Sequence, residues 1–539
     1  MKLDFLDIGL LLLFLFYSYA VLEFIERREK YSILLFGNFI LAFSVYTLLK
    51  IAFLKSIGLS FSGLTASIFL YVVLNVGSDK KENTSNKKYK SPPLVLGTKD
   101  KKSLRYYEPL ENFLVYGGAN AGKTASLGKP LLLEYLKQGY SAFVYDAKEF
   151  DYAKTIFSYY RTHNPPSKLY YANFNDANKS HRFNPIKPQL FANSSQFEEI
   201  NEHFLKSLRG SQGEGGTWFD AALGLYKGIS WVFFKHYPQW CTIPHITNFF
   251  LHRSTEDLLL FLQKDAKAMG YASSVFKGAK SENTIGSVLF SLANYLSKVA
   301  NNETVCYILS GDDFDYNFVD PERPISFCLC NSHQISDTLS PIMGALVNIS
   351  AKQYTLDNKN PVVYCLDEAT TFHIPNFENL PSLLREFKVA FLMLTQSASK
   401  VEKLYGKLDL NSIHSNFTNK FFGKTGDVNA VKMYQQLFEM VMHEYKSESK
   451  NFGDRYSESE TTSKRKEHKY EASFFSHLKP GEFVGLCGQS NYVDFHKEFV
   501  PYDRTQDMEP RMISTAYLSN SDLEAYHQSI VEEVKSLTV

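Results

Sequence analysis

The chain has 539 residues, and its 58 Lys and Arg nearly balance its 57 Asp and Glu, for a formal net charge of +1. This balance excludes a uniformly basic nucleic-acid coat protein and an acidic solvating chain, so any nucleic-acid contact has to come from a local patch. Hydrophobic residues at 44% and aromatic residues at 15% exclude wholesale disorder, and six Cys, none in a CxxC pair, exclude a disulfide scaffold and disfavour a zinc ribbon.

The chain begins with three uncharged apolar runs, 8–22, 31–49 and 56–78. A membrane-spanning helix needs about 20 apolar residues. The second and third runs meet that length, and the first does so only if Glu23 sits at the membrane interface. Residues 1–78 are therefore predicted to form a transmembrane anchor of two or three helices, the first run of a two-helix anchor lying along the membrane surface. The alternative is a buried helical hairpin of a soluble protein.

A polar, charged segment, 79–91, follows the third run and is predicted to be a linker. It carries the densest positive cluster near the anchor, namely Lys80, Lys81, Lys87, Lys88 and Lys90. Because positive charge stays on the cytoplasmic side, the remainder of the chain is expected in the cytoplasm.

A phosphate-binding loop follows the first strand predicted beyond the linker, 112–116. The loop consists of Gly117, Gly118, Ala119, Asn120, Ala121, Gly122, Lys123 and Thr124, and fills every fixed position of GxxxxGK[ST]. Glycines let backbone N–H groups cradle phosphate oxygens, while Lys123 is expected to reach the β and γ phosphates and the Thr124 hydroxyl to bind Mg²⁺. A helix should begin near Thr124, and Pro130 is expected to kink it or end it early.

The loop predicts a second site, an apolar strand that ends in acidic residues. The continuous apolar run 362–366, followed by Asp367 and Glu368, fits a parallel strand covered on both faces. Asp367 is predicted to hold Mg²⁺ through a water molecule, and Glu368 to polarise the attacking water. The alternative is a strand that ends in two acids by coincidence, and the loop upstream favours the catalytic interpretation.

Another buried strand is predicted at 389–395, and Gln396 at its end is expected to contact the γ-phosphate or the attacking water. Arg385 precedes that strand. It is predicted either to reach a neighbouring subunit's nucleotide as an arginine finger or to form a surface salt bridge, and the residues leave both open.

The chain between Lys123 and Asp367 is longer than a compact nucleotide-binding core requires, which indicates an insertion. Strands are predicted at 141–146, 168–172 and 326–330. Between the last two, helical periodicity is found at 197–208, 218–237, 254–267 and 281–299. The prediction is a nucleotide-binding domain in two segments, 92–187 and 303–505, with an all-α domain (188–302) between them and an acidic C-terminal tail (506–539) after them. Cys328 and Cys330 are expected on one buried strand face.

Several further segments fall into a recognisable order. They are GGANAGKT (117–124), VYDAKEF (144–150), RFNPI (182–186), TWFDAALGLYKG (217–228), SENTIGSVLFSLANYL (281–296), ERPISF (322–327), YCLDEAT (364–370), LREFKVAFLMLTQS (384–397) and HLKPGEFVGL (477–486). With the N-terminal membrane segment, this order resembles the type IV secretion coupling proteins, the membrane-anchored hexameric ATPases of conjugation. The likeness covers about residues 90 to 500.

This resemblance implies an α/β fold with a RecA-like P-loop NTPase domain interrupted by an all-α domain, and a homohexamer with a central channel. It implies ATP and Mg²⁺ as cofactors and a multi-pass location in the lipid of the bacterial inner membrane. The implied partners are type IV secretion channel components and either single-stranded DNA with its relaxase or effector proteins. The roles argued above for Lys123, Thr124, Asp367, Glu368, Gln396 and Arg385 carry over by motif.

Two functions fit these residues. One is an ATP-driven translocase of DNA or protein; the other is an ATP-binding receptor or scaffold with little motor activity. The intact pair Asp367 and Glu368 favours the translocase, since a scaffold has no need of a base for water. Lys464, Arg465 and Lys466 are candidate DNA contacts in the polar stretch 447–469, which is otherwise predicted to be a solvated loop or hairpin.

Overall fold

The computed structural model describes residues 92–209, 216–276, 282–452 and 456–538. The predicted anchor, 1–78, and the linker, 79–91, lie outside the described residues. Within those four ranges, none of the helices combines the length and hydropathy needed to cross a membrane.

The described residues contain thirteen strands. They are β1 (Leu94–Leu96), β2 (Leu104–Tyr106), β3 (Phe113–Tyr116), β4 (Ser141–Asp146), β5 (Lys168–Asn173), β6 (Ile325–Cys330), β7 (Val362–Leu366), β8 (Val389–Thr395), β9 (Asn419–Phe422), β10 (Met440–Phe452), β11 (Tyr456–His468), β12 (Glu482–Leu486) and β13 (Asp494–Glu498). Nine of them form one sheet in the order β13-β12-β9-β3-β8-β7-β4-β6-β5. The seven strands from β9 to β5 pair in parallel, and β12 pairs antiparallel with β9 and β13.

Seventeen helices lie in the described residues. They are α1 (Lys129–Lys137), α2 (Asp151–His163), α3 (Ser194–Arg209), α4 (Thr217–His236), α5 (Ile243–Leu251), α6 (Thr255–Gln263), α7 (Ala266–Tyr271), α8 (Ser273–Phe276), α9 (Glu282–Ala300), α10 (Glu303–Leu309), α11 (Ser336–Ala351), α12 (Leu380–Leu383), α13 (Ala398–Tyr405), α14 (Lys407–Asn416), α15 (Val428–Leu437), α16 (Ala472–His477) and α17 (Asn520–Ser536).

Both faces of the central sheet are covered, which explains why its strands are continuous apolar runs. Successive side chains alternate between two cores, as Phe113 and Val115 lie in one and Leu114 and Tyr116 in the other. The first core includes α1, α2 and the β1–β2 hairpin, and the second includes the helices from α3 to α11. The strands predicted at 141–146, 362–366 and 389–395 are confirmed, with the bounds of β4, β7 and β8. The mixed α/β class with a large parallel sheet is thereby confirmed.

The two cysteines of β6 share the same core, as their spacing predicts. Cys328 and Cys330 are both fully buried, and burial raises the pKa of each thiol well above its ordinary value. They therefore pack as small apolar side chains.

The helical region between β5 and β6 departs from the expected pattern: α5, α8 and α10 lie outside the four predicted stretches, and one of those stretches is divided. The single helix predicted at 254–267 is wrong, because α6 ends at Gln263 and α7 begins at Ala266. Asp265 between them accepts hydrogen bonds from the backbone N–H groups of Lys267 and Ala268. An aspartate in this position starts a new helix rather than continuing the previous one.

The helix after the phosphate loop also differs from expectation. It opens with a wider π-type turn, Lys123–Gly128, and continues as α1 to Lys137. The early end expected at Pro130 is wrong, because Pro130 lies in the first turn of α1, where a backbone N–H is not needed.

The C-terminal segment packs on the helical region through α17. Its side chains Ile530, Val531 and Val534 are buried, although the segment carries an excess of acidic residues. One Nη2 atom of Arg253 lies within hydrogen-bond distance of three carbonyl oxygens near the end of α17, those of Val534, Lys535 and Leu537, at 2.8, 2.9 and 2.6 Å. The arginine thus compensates helix-end carbonyls that have no helical partner.

The polar stretch 447–469 belongs to a long antiparallel hairpin, β10–β11. Of the two shapes predicted for this stretch, a loop or a hairpin, the structure shows the hairpin, and its first strand begins at Met440. Lys464 pairs with Glu444 at 2.6 Å, and the Arg465 guanidinium lies over the Tyr445 ring at 5.9 Å.

Candidate functional site

The phosphate loop follows β3 at the carboxyl edge of the sheet. Gly122 has a φ of 87°, and a Cβ atom there would lie 2.6 Å from the Gly481 nitrogen, so only glycine fits this position. The Gly481 N–H in turn donates to the Ala121 carbonyl at 2.9 Å, and the Gly118 N–H donates to the Lys424 carbonyl at 2.7 Å. The loop is therefore held from two sides by segments distant in sequence.

The Lys123 side chain folds back over this loop. Its ammonium donates to the Gly117 carbonyl at 2.7 Å and lies 3.3 Å from Glu368 Oε1. The side chain is only 6% exposed. The cation of the phosphate loop and the predicted base thus meet at the place where a γ-phosphate and its attacking water are expected.

Asp367 directly follows β7 and is fully buried. Neither of its carboxylate oxygens has a hydrogen-bond partner among the described residues. Burial raises its pKa, and the neighbouring Lys148 ammonium opposes that rise. A buried carboxylate without hydrogen bonds among the described residues, and with the Lys148 ammonium 3.4 Å from one oxygen, is a group that cations compensate, so the residues present fit a divalent metal.

Glu368 follows with a left-handed backbone, at a φ of 46°. The Thr371 N–H donates to the Glu368 carbonyl at 2.9 Å and closes a turn there. Non-glycine residues rarely adopt this conformation, and such strain is concentrated at functional sites. The turn directs Glu368 toward Lys123, while Asp367 remains buried.

Lys148 was not singled out as a site residue by the sequence reasoning. Its ammonium lies 3.2 Å from Thr124 Oγ1 and 3.4 Å from Asp367 Oδ2. The two oxygens predicted to bind Mg²⁺ therefore face a common point. The available signal was the segment VYDAKEF, which places a polar residue cluster directly after a buried strand.

Asp146, at the end of β4, was also not singled out. It is fully buried and accepts backbone hydrogen bonds from Tyr152 at 2.7 Å, Ala153 at 3.2 Å and Lys148 at 3.1 Å. Burial raises the pKa of Asp146 to about 7, although these N–H groups favour its ionised form. Asp146 thus ties the loop that carries Lys148 to the first turn of α2.

Gln396 lies at the same edge of the sheet as the phosphate loop. It follows β8, whose last residue, Thr395, pairs with Tyr116 and accepts a hydrogen bond from the Gly117 N–H at 3.2 Å. The Gln396 side-chain oxygen accepts a hydrogen bond from the Lys400 ammonium.

Arg385 is separated from the other predicted site residues. It precedes β8, and its Nη2 lies 3.9 Å from Oε1 of Glu111, which precedes β3. Both residues therefore lie at the amino edge of the parallel strands, whereas the phosphate loop lies at the carboxyl edge. With 47% of its side chain exposed, Arg385 faces outward at that edge.

Comparison with known proteins gives a consistent assignment of fold and family. The family model described as type IV secretory system conjugative DNA transfer matches residues 75–473. The unbound monoclinic form of the bacterial conjugative coupling protein TrwBdeltaN70 is similar at 15% identity and a TM-score of 0.57, over 79% of this chain and 92% of that chain. A search of curated proteins found no match.

Two further similar structures contain nucleotides. The plasmid coupling protein TrwB in complex with ADP and Mg²⁺ has a TM-score of 0.56 at 15% identity, over 76% of this chain and 88% of that chain. The complex of TrwB with the non-hydrolysable ATP analogue ADPNP has a TM-score of 0.55 at 16% identity, over the same two shares. The family match spans well over half of the sequence. The chain therefore belongs to the type IV secretory system family of conjugative DNA transfer proteins.

Proposed function

We propose that this protein is a Mg²⁺-dependent ATPase that drives a macromolecular substrate, chiefly single-stranded DNA with its relaxase, into a type IV secretion channel. One observation carries the proposal: the phosphate-loop Lys123 lies 3.3 Å from Glu368, at the edge of the sheet where Asp367 also follows its strand. A phosphate-binding cation, a metal-binding carboxylate and a base for water are the groups that ATP hydrolysis requires.

Each residue has a separate role in this proposal. The loop backbone from Gly117 to Gly122 cradles the phosphates, and Lys123 neutralises charge on the β and γ oxygens. Glu368 orients the attacking water and accepts its proton, and Gln396 reports on the γ-phosphate. In the absence of nucleotide the Lys123–Glu368 ion pair keeps both side chains near their working positions.

Thr124 and Asp367 are the residues that would hold Mg²⁺, through a hydroxyl and a buried carboxylate. Bound Mg²⁺ would neutralise phosphate charge as it is transferred to water. The ADP–Mg²⁺ and ADPNP complexes of TrwB support this choice of cofactors.

The finer architecture follows the same proposal. The sheet is assigned as a RecA-like domain, 92–187 and 303–505, interrupted by an all-α domain, 188–302, and followed by the tail, 506–539. Residues 1–78 would anchor the protein in the lipid of the bacterial inner membrane, with the ATPase in the cytoplasm. In a homohexamer, Arg385 would act on a neighbouring subunit's nucleotide, which is compatible with its place at the opposite edge of the sheet.

The alternative function is an ATP-binding receptor or scaffold for effector proteins, with little motor activity. The left-handed turn that holds Glu368 beside Lys123 favours the motor, since binding alone needs no such strained base. The two functions differ in whether transfer requires hydrolysis.

ATP hydrolysis by the full-length protein in detergent or nanodiscs, with and without single-stranded DNA, tests the proposal. Hydrolysis that rises with DNA and disappears in Lys123→Ala supports a DNA motor. Hydrolysis indifferent to DNA supports an effector-protein substrate, and substrate transfer that survives in a hydrolysis-dead Glu368→Gln variant supports the scaffold. Glu402→Gln, an exposed acid on α13, is the matched control and should leave hydrolysis unchanged.

A further inference from the structure

The Lys148 ammonium lies between the two oxygens assigned to the metal. It is 3.2 Å from Thr124 Oγ1 and 3.4 Å from Asp367 Oδ2. These two residues come from different segments: Thr124 is the last residue of the phosphate loop, and Asp367 directly follows β7. Lys148 itself follows β4, which pairs with β7 in the sheet. Three separate segments thus converge on one positively charged group.

The backbone that carries Lys148 is fixed on both sides. Its N–H donates to Asp146 Oδ1 at 3.1 Å. The next residue, Glu149, has a left-handed φ of 63°, and its N–H donates to the Asn331 carbonyl at 3.1 Å. The Ser332 hydroxyl donates to Glu149 Oε1 at 3.3 Å. The loop therefore presents Lys148 from a defined position, while its side chain remains 49% exposed and has room to move.

Two cations cannot use the same pair of oxygens at once. Mg²⁺ binds its oxygen ligands at about 2.0–2.1 Å and requires a nearly octahedral shell. An ammonium 3.2 Å from Thr124 Oγ1 and 3.4 Å from Asp367 Oδ2 occupies space that the metal and its water ligands need, and its charge repels the metal. Nucleotide phosphates shift the competition between the ammonium and Mg²⁺ toward the metal, because they add negative charge and further oxygen ligands that favour a divalent ion over a monovalent one.

We propose that Lys148 competes with Mg²⁺ for Thr124 and Asp367, so that the metal enters together with the nucleotide rather than ahead of it. This inference rests on the proposed ATPase function and adds a positioning residue to it. Before the metal arrives, Lys148 compensates the buried Asp367 carboxylate, and it swings toward solvent when the metal binds. Without the ammonium, no side-chain cation has to leave Asp367 before a metal binds, and the affinity of the site for the metal rises.

Mn²⁺ binding to the full-length protein, followed by electron paramagnetic resonance, tests this competition without any turnover. Lys148→Met removes the charge but keeps the length of the side chain, and Lys148→Arg retains the charge. Lys154→Met is the matched control. Lys154, on α2, lines a surface cleft together with Lys148, but it pairs with Glu509 instead of the metal-site oxygens.

In the absence of nucleotide, Lys148→Met is expected to bind Mn²⁺ about two- to fivefold more tightly than the wild type, the fold-change that corresponds to the stronger solvent-exposed ion pairs. Lys148→Arg and Lys154→Met should bind as the wild type does. With ADP bound, the difference between Lys148→Met and the wild type should shrink, since the phosphates already favour the metal.

Equal or weaker Mn²⁺ binding by Lys148→Met, or an equal gain in Lys154→Met, would overturn the inference. Two measurements on the wild type, the binding of fluorescent ADP and the hydrolysis of ATP, test the ATPase function independently of the competition. If both are present and Lys148→Met shows no gain, only the competition is wrong. If both are absent, the proposed function is wrong and the competition with it.

Discussion

The Lys123 ammonium lies 3.3 Å from Glu368 Oε1, although the two residues belong to motifs in different halves of the nucleotide-binding fold. The parallel pairing of β3, β8 and β7 brings them together, because all three strands end at the same edge. The pair joins the group that holds phosphate to the group proposed to activate water. Substitutions at its two ends should therefore have different effects.

Glu368→Gln should preserve nucleotide binding and reduce the turnover number for ATP by about 10²–10⁴-fold, the usual contribution of a general base. Lys123→Ala should instead weaken binding itself, because the phosphates lose their cation. Binding of a fluorescent nucleotide measured beside steady-state hydrolysis distinguishes the two. Equal turnover in Glu368→Gln and the wild type would rule out the proposed role of Glu368.

Gly122→Ala should abolish nucleotide binding, because the added Cβ would lie 2.6 Å from the Gly481 nitrogen and the residue has a φ of 87°. Gly270→Ala is the matched control, since a Cβ at Gly270 meets no atom within 4 Å. Gly270→Ala should bind nucleotide normally and leave the melting temperature unchanged or slightly higher. Nucleotide titration and thermal melting of both variants check the prediction.

Asp146 should make stability depend on pH in a defined window. An unfolded aspartate ionises near 3.8, whereas burial raises the pKa of folded Asp146 to about 7. The stability that protonated Asp146 contributes is complete below pH 3.8, falls as the pH rises from 3.8 to about 7, and is absent above about pH 7. The melting temperature of the wild type relative to Asp146→Asn should therefore increase as the pH is lowered from 7 to 5. A difference that stays constant over this range would contradict the assignment.

Val534→Ala should lower the free energy of unfolding of the helical region by about 1–3 kcal/mol, because Val534 lies on the buried face of α17 and is fully buried. Loosening of α17 should also make the C-terminal segment more susceptible to trypsin. Glu524→Gln, an exposed position on the same helix, is the control and should change neither property. Unchanged melting and proteolysis in Val534→Ala would show that α17 does not stabilise this region.

Alanine at Lys464, Arg465 and Lys466 together should reduce DNA-stimulated hydrolysis and leave hydrolysis without DNA unchanged, if the β10–β11 hairpin contacts phosphates. The dependence of DNA affinity on salt should also become shallower, because fewer counterions are released. Alanine at Lys99, Lys101 and Lys102, a second basic cluster, tests whether any loss of positive charge has the same effect. Identical losses in both triple variants would show that the hairpin makes no specific contact.

The strands and the phosphate loop were predictable because their signals are local. A continuous apolar run such as 362–366 must be covered on both faces, whatever surrounds it. The roles of Gly122 and Lys123 could be predicted from a motif of eight consecutive residues, because they depend on local backbone geometry and charge. The break between α6 and α7 was not predicted, because the helical periodicity continues across the capping residue Asp265. The packing of α17 was not predicted either, because the acidic composition of its segment concealed an apolar face.

Local patterns along the chain were enough to predict the α/β class, the phosphate loop and the two carboxylates, Asp367 and Glu368, that accompany this loop. The position of Lys148 beside Thr124 and Asp367, and the position of Arg385 at the opposite edge of the sheet, are visible only in the folded chain. The physical reason is strand order. Which strands become neighbours depends on how both faces of the whole sheet are covered, and no short stretch of sequence contains that information.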